Sequence, residues 1–240
     1  MDAFPRAVLF DLDETLCLTN AASEKAMRQV ACSVVHEPAG SARLLAAWHS
    51  ARTRFWGEPE NAEWGRHAPE RAREVCFEHA VRASMVELRH RYSDRHYVAV
   101  RAQALSLSIG SRQLLGELAR RRIRVGIVTN GNLAEQVGKV EALQIKTLVN
   151  VVAAADDLLA PKPEPDLFLC ALRALGIQPK EAVMIGDDEW TDGLGSLAAG
   201  VRFIHLSSGA CVLQSSHPHA HLQSLLEATG DALAGLLGEK

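Results

Sequence analysis

The sequence has no apolar run approaching the ~20 residues that a bilayer-spanning helix needs, so a membrane protein is not expected. Its five cysteines are scattered and form no C-x-x-C pair, which argues against a disulfide framework and predicts a reducing, cytoplasmic location. Basic residues are not in excess, because 26 Lys and Arg stand against 29 Asp and Glu, and nucleic acid is therefore not an expected partner. The G-x-x-x-x-G-K-[ST] motif is also absent, which removes the main indication of nucleotide hydrolysis by a P-loop.

The 240 residues suffice for one large domain, or for one domain that carries a second. Apolar residues make up 48% of the chain and charged residues 23%, as in ordinary globular proteins. A chain of this size buries a core without a metal or disulfide. The first residues combine an acid at position 2 with a short apolar run that ends in carboxylates, so no signal peptide is expected.

Short apolar runs of the kind that form strands buried on both faces occur at five places. They are residues 5–10, 123–128, 148–153, 182–185 and 201–206. Helical segments separate the later runs, with Ser111 and Asn132 as expected N-caps and a further helix between Pro165 and Gly176. This alternation predicts an α/β fold, a Rossmann-like parallel sheet with helices on both faces.

Residues 17–105 differ from the rest because they contain no strand-like run. Helical periodicity occurs instead, interrupted by glycine and proline. The periodic stretches are 21–35, 41–55 and 69–91. We therefore expect an all-helical domain at 17–105, inserted after the first strand into a discontinuous α/β core made of 1–16 and 106–240.

Polar residues follow four of the apolar runs, where a parallel sheet binds its ligands. They are Asp11 and Asp13 after the first run, Thr129 and Asn130 after the second, Asp156, Asp157 and Lys162 after the third, and Asp187, Asp188 and Asp192 after the fourth. Each alone is an ordinary cap or turn residue. Four strand ends that all carry components of one site favour a functional interpretation.

These residue types suit phosphoryl transfer. Crowded carboxylates repel one another unless a cation lies among them, and oxygen ligands without His or Cys indicate Mg²⁺. Asp11 and Asp13 are two residues apart, so in extended backbone their side chains lie on the same face. One can then attack an electrophile while the other transfers a proton. Thr129 and the backbone N–H groups near Asn130 would hold an anionic oxygen, and Lys162 adds positive charge.

In their order along the chain, four motifs resemble those of the haloacid dehalogenase superfamily of phosphohydrolases. They are Asp11-Leu12-Asp13-Glu14-Thr15-Leu16, Thr129-Asn130-Gly131, Pro161-Lys162-Pro163-Glu164-Pro165-Asp166 and Gly186-Asp187-Asp188-Glu189-Trp190-Thr191-Asp192. One such motif is weakly specific, whereas four in order are strongly so. The resemblance covers the α/β core, and the insertion at 17–105 is similar to the helical cap of that family.

The resemblance implies a Mg²⁺-dependent phosphatase. Asp11 would form an aspartyl-phosphate, and Asp13 would protonate the leaving-group oxygen and then take a proton from the hydrolytic water. The other implied roles are metal binding by Asp11, the backbone carbonyl of Asp13, and Asp187; phosphoryl binding by Thr129, Lys162 and the backbone near Asn130; and support by Asp188 and Asp192, the latter orienting Lys162 or a metal-bound water.

Several alternatives remain open at this point. Asp13 favours phosphate esters over halogenated acids, because a dehalogenase has no departing alkoxide to protonate. A phosphomutase would keep both aspartates, and a non-catalytic binding module on the same fold would not need them. A helical lid favours a small soluble phosphate ester as the partner, such as a phosphosugar, phosphoglycolate or a nucleoside monophosphate. The residues from His217 to His221 are expected to form a surface loop, and neither Trp190 nor the oligomeric state is assigned.

Overall fold

The computed structural model describes residues 5–155, 159–207 and 220–230. The chain separates into two compact units, which we call the core unit (Met1–Thr19 with Ser106–Lys240) and the helical unit (Asn20–Leu105). Parts of two segments considered above lie outside the described residues. They are Asp156 and Asp157, from the loop after the third strand, and residues 217–219 of the histidine tract.

Six strands among the described residues form one parallel sheet. They are β1 (Ala7–Phe10), β2 (Arg124–Thr129), β3 (Val151–Ala154), β4 (Ala182–Gly186), β5 (Arg202–Leu206) and β6 (Ala220–Leu222). Their order is β3-β2-β1-β4-β5-β6, so the connections reverse direction beside β1. The α/β prediction is confirmed, and this reversal marks the crevice where such sheets bind ligands.

The sheet register brings the predicted site residues to a common edge. Phe10 of β1 pairs with Ile127 of β2 and Ile185 of β4. Asp11 follows Phe10 directly, and Thr129 and Asp187 each follow within two residues of the paired positions. All four residues of β1 are fully buried, as expected of a central strand covered on both faces.

The helical unit contains helices through most of its length. They are α1 (Thr19–Val34), which begins at the last residue of the core unit, α2 (Pro38–Gly57), α3 (Pro59–His67), α4 (Pro69–Ser84) and α5 (Asp94–Ala104). Pro59 and Pro69 begin helices, because proline fixes φ and lacks only an N–H group that the first turn leaves unpaired. The predicted stretch 69–91 is too long, since α4 ends where Met85 adopts a left-handed conformation.

The core unit adds helices between its strands. They are α6 (Ser111–Arg120), α7 (Leu133–Ala142), α8 (Asp166–Leu175) and the short α9 (Gly195–Ala198). The predicted N-cap Asn132 is confirmed, because its side chain accepts hydrogen bonds from two backbone N–H groups of α7. Gly176 ends α8 in the left-handed conformation, also as predicted. Ser111 is the first residue of α6 rather than its cap, and its hydroxyl donates to the Leu16 carbonyl.

Strand β6 was not predicted. Ala220 and His221 belong to this strand, so the surface-loop prediction is wrong for these two residues. The His221 ring packs against His205 of β5 with ring centroids 5.5 Å apart. Across the described part of the chain, no helix is both long and apolar enough to cross a membrane.

Candidate active site

A pocket of about 230 Å³ lies at the carboxyl edge of the sheet, in the core unit. Eight of the sequence-selected residues line it: Asp11, Asp13, Thr129, Asn130, Lys162, Asp187, Asp188 and Asp192. Gly131 and Thr191 also line the pocket. The parallel sheet therefore collects into one cavity residues that lie up to 181 positions apart in the sequence (192 − 11 = 181).

Lys162 is the buried cation of the pocket, with only 5% of its surface exposed. Its ammonium group donates to Asp11 Oδ1 at 2.6 Å, to Asp192 Oδ1 at 2.6 Å and to the Val128 carbonyl at 2.9 Å. These three acceptors use all three N–H donors of the group. Burial alone would lower the pKa of Lys162, but the two carboxylates outweigh it and raise that pKa, so the side chain stays charged.

Burial and neighbouring charges raise the pKa values of several carboxyl groups in the pocket. Burial raises the pKa of Asp11 above its ordinary value, and the charge of Asp192 adds to the rise while Lys162 opposes it. Burial also raises the pKa of Asp187 to about 6, with a further contribution from the charge of Asp11. The Thr15 hydroxyl donates to Asp187 Oδ1 at 3.0 Å and partly offsets this rise.

One carboxylate oxygen from each of Asp11, Asp187 and Asp192 lies within 4.8 Å of the other two. This cluster supplies only oxygen atoms, and for each member the charge of a neighbouring carboxylate adds to the rise in pKa that burial causes. A hard divalent cation fits such a donor set, so the residues present suit Mg²⁺.

Asn130 and Asp188 shape the loops that line the pocket. The Asn130 side chain accepts from the Lys162 backbone N–H at 2.7 Å and donates to the Lys162 carbonyl at 2.9 Å. These two bonds join the loop after β2 to the loop that carries Lys162. Asp188 Oδ1 accepts from the backbone N–H groups of Trp190 and Thr191 at 2.8 and 2.9 Å, which caps the π-helical turn Glu189–Leu194. Trp190 itself is 67% exposed.

Asp13 is contacted by side chains that were not predicted from the sequence. Lys139 Nζ lies 2.6 Å from Asp13 Oδ1 and 2.7 Å from Oδ2, and Gln136 Nε2 donates to Oδ2 at 3.0 Å. The Thr19 hydroxyl donates to Oδ1. Burial would raise the pKa of Asp13, but Lys139 and these hydrogen bonds outweigh it and lower that pKa. The available signal was a glutamine and a lysine three residues apart on the helix that follows Thr129-Asn130-Gly131.

The chain is similar to known proteins along most of its length. A family model described as haloacid dehalogenase-like hydrolase matches residues 5–200. The chain belongs to the haloacid dehalogenase-like hydrolase family. This membership confirms the resemblance and the predicted hydrolase.

Relatives of this family member include named phosphatases. The N-acylneuraminate-9-phosphatase of Rattus norvegicus is 27% identical to it, over 92% of this chain and 91% of the relative. Among solved structures, a putative HAD-hydrolase from Bacillus subtilis bound to magnesium superposes with a TM-score of 0.72 at 17% identity, covering 98% of this chain and 99% of that one. A 2-haloacid dehalogenase from Pseudomonas syringae superposes with a TM-score of 0.64 at 25% identity, covering 95% and 98%. The fold is thus shared by phosphatases and dehalogenases, and side chains must distinguish them.

Proposed function

We propose that this hydrolase is a Mg²⁺-dependent phosphatase that cleaves a small soluble phosphate monoester through an aspartyl-phosphate on Asp11. The observation that carries the proposal is the contact of buried Lys162 with Asp11 at 2.6 Å, in the pocket that Asp13 and Thr129 also line. A nucleophilic carboxylate, a second carboxylate, a hydroxyl donor and a fixed cation are components that suit phosphoryl transfer. Asp13 supports a phosphate ester over a halogenated acid, because a halide leaves without a proton and an alkoxide does not.

Asp11 attacks phosphorus in the first step of this mechanism. Lys162 donates to Oδ1 of the Asp11 carboxylate and holds the carboxylate in place for the attack. The bond from an Asp11 carboxylate oxygen to phosphorus forms as the bond from phosphorus to the leaving oxygen breaks, and Asp13 gives that oxygen the proton that it took from water in the preceding turnover. In the second step Asp13 takes a proton from water, which attacks phosphorus and releases inorganic phosphate and Asp11.

Mg²⁺ would be held by Asp11, Asp187 and the backbone carbonyl of Asp13, with Asp192 beside them. When bound, the ion would neutralise charge on the transferring phosphoryl group and relieve repulsion among the carboxylates. Lys162 keeps the Asp11 and Asp192 carboxylates in place, and the Thr129 hydroxyl donates to a phosphoryl oxygen.

Adding Mg²⁺ to the metal-free protein should raise its Tm, more at about pH 8 than at about pH 5. The pKa of Asp187 is about 6, so below that pH a proton occupies the carboxylate that the ion needs. At about 100 Kd the ion stabilises by about 2.7 kcal/mol, which is roughly 5–10 °C for a chain of this size. Differential scanning fluorimetry at constant ionic strength measures the shift, and a chelator should stop hydrolysis reversibly. An undiminished shift in Asp187→Asn would contradict the assignment.

The helical unit, Asn20–Leu105, is proposed to act as a cap that limits the substrate to a small molecule. The two chain segments that connect it to the core pair with each other. The Leu18 N–H donates to the Ser106 carbonyl and the Ser108 N–H donates to the Leu16 carbonyl, both at 3.0 Å. These segments continue from the loop that carries Asp11 and Asp13, which supports an insertion that serves the same site.

A panel of phosphate esters tests the proposal. N-acylneuraminate 9-phosphate comes first, since the relative named for it matches along 92% of the chain. Phosphosugars, phosphoglycolate and nucleoside monophosphates complete the panel, with kcat/KM measured from release of inorganic phosphate in the presence of Mg²⁺. Transfer to a second substrate hydroxyl without phosphate release would instead identify a phosphomutase. No turnover of any ester would contradict the proposed function.

A further inference from the structure

We infer that Gln136 and Lys139, on one face of α7, are positioning residues that fix the Asp13 carboxylate and the Thr129 hydroxyl for the reaction. The inference rests on the proposed phosphatase function and deepens it. Neither side chain is at the end of a strand, and neither lines the pocket among its described residues. Both act through a residue that does.

Lys139 is a buried ammonium whose partner is Asp13. It is 7% exposed, and its Nζ lies 2.6 and 2.7 Å from the two oxygens of that carboxylate. Burying a lysine is unfavourable unless a counter-charge lies against it. The buried ammonium group of Lys139 therefore holds the Asp13 carboxylate in place. The Asp13 side chain nevertheless remains 35% exposed, which leaves it available to the pocket that it lines.

Gln136 joins Asp13 to Thr129. Gln136 is only 1% exposed, and its Nε2 donates to Asp13 Oδ2 at 3.0 Å and to Thr129 Oγ1 at 2.8 Å. An amide nitrogen has two hydrogens, and both are used. The orientation of the amide is therefore determined, because a flipped group would place its own oxygen against the carboxylate.

The contacts of Thr129 determine where its own hydrogen points. Oγ1 accepts from Gln136 Nε2 at 2.8 Å and from the Gly131 backbone N–H at 3.3 Å. A hydroxyl has two acceptor lone pairs and one hydrogen, so with both lone pairs engaged the group is left as a donor. Thr129 lines the pocket, and a donor there suits an anionic phosphoryl oxygen.

The local sequence allows this arrangement. A Cβ atom at Gly131 would collide with the Gln136 side-chain amide, so glycine at 131 lets that amide pack against the loop. Asn132 caps α7 directly after this glycine. Gln136 and Lys139 are three residues apart on that helix, so they share the face that contacts Asp13.

Lys139→Met tests the inference with two esters. An alkyl phosphate needs Asp13 to protonate its leaving oxygen, whereas p-nitrophenyl phosphate releases a weakly basic phenolate unaided, and Asp13 must activate water in the second step for both. With the alkyl ester, kcat should fall about 10²-fold or more with little change in KM. With the nitrophenyl ester, a burst of about one nitrophenolate per active site should precede slow turnover, because the first step then outruns the second.

Two further variants complete the experiment. Gln136→Met should show the same burst and a raised KM for both esters, because the Thr129 hydroxyl also loses its orientation. It leaves no buried charge unpaired, so it tests the inference even where Lys139→Met does not fold. Lys146→Met is the matched control, since Lys146 is exposed and its ammonium group pairs with Glu141 at 2.6 Å; its kinetics should match the wild type.

Two results would overturn the inference alone: wild-type kinetics in both positioning variants, or an equal fall on both esters without a burst. The second result is what a purely structural role gives. A wild-type protein that releases phosphate from neither ester overturns the proposed function, and this inference with it.

Discussion

Asp11→Asn is expected to lower kcat by on the order of 10⁴-fold or more, the scale on which covalent enzymes lose activity without their nucleophile. An amide does not form the acyl-phosphate, so the first chemical step is lost rather than slowed. The fold should persist, because Lys162 keeps its contacts with Asp192 and the Val128 carbonyl. Tm measured beside phosphate release separates the two effects.

Asp166→Asn provides the control for this experiment. It makes the same chemical change at an exposed aspartate that begins α8 in the third motif. That variant should keep wild-type turnover and lose at most the modest stability that an acid gives to a helix N-terminus, about 0.3–1 kcal/mol. Two results together would rule out the covalent mechanism. Asp11→Asn would keep its turnover, and no acid-stable phosphate would be found on any residue of the wild type.

Most of the site could be predicted because its residues lie at the ends of strands or in the loops that follow them. In a parallel sheet, the ends of neighbouring strands meet at one edge, so a reader of the sequence needs only the strands and their direction. Asp11, Thr129, Lys162 and Asp187 were found in this way, and one pocket holds all four. Locating the strands in the sequence was therefore enough to predict that these distant residues lie close together.

The positions that prediction missed depend on contacts that no local pattern records. β6 has only three residues and forms by pairing with β5, so its own sequence lacks the length of a recognisable strand. Gln136 and Lys139 are polar residues on a helix, where a solvated face is the usual expectation. Only the packing of α7 against the first motif reveals that their partner is Asp13.

Helix α3 lies between the predicted stretches 41–55 and 69–91 and was missed for a different reason. Pro59 interrupts the periodic pattern and yet begins α3, just as Pro69 begins both α4 and the stretch predicted for it. The same ring that ends a helix from within is well suited to its first turn. The position of the proline relative to the N-cap decides whether it ends a helix or begins one. The cap residues here are Glu58 and Ala68, which make no side-chain cap hydrogen bond, so the usual capping residues do not mark these helix starts in the sequence.

Lys162→Met should abolish turnover and also destabilise the protein, by about 3–5 kcal/mol. It would leave the carboxylates of Asp11 and Asp192, which are 7% and 1% exposed, without their common cation. For a chain of this size the loss corresponds to a fall of roughly 6–20 °C in Tm. Thermal unfolding of the metal-free variant measures it.

The pH dependence of that loss identifies its cause. Without Lys162 the pKa values of Asp11 and Asp192 in the folded state rise further above those of the unfolded chain, so the folded variant binds more protons than the unfolded chain does. Its stability relative to the wild type must then fall as pH rises and recover as the carboxylates protonate. Adding Asp192→Asn to Lys162→Met should restore part of the stability, because one buried charge is removed, but none of the turnover. A deficit that is independent of pH, or unchanged in the double variant, would mean that lost packing rather than unpaired charge destabilises the protein, and the charge-pairing role of Lys162 would have to be given up.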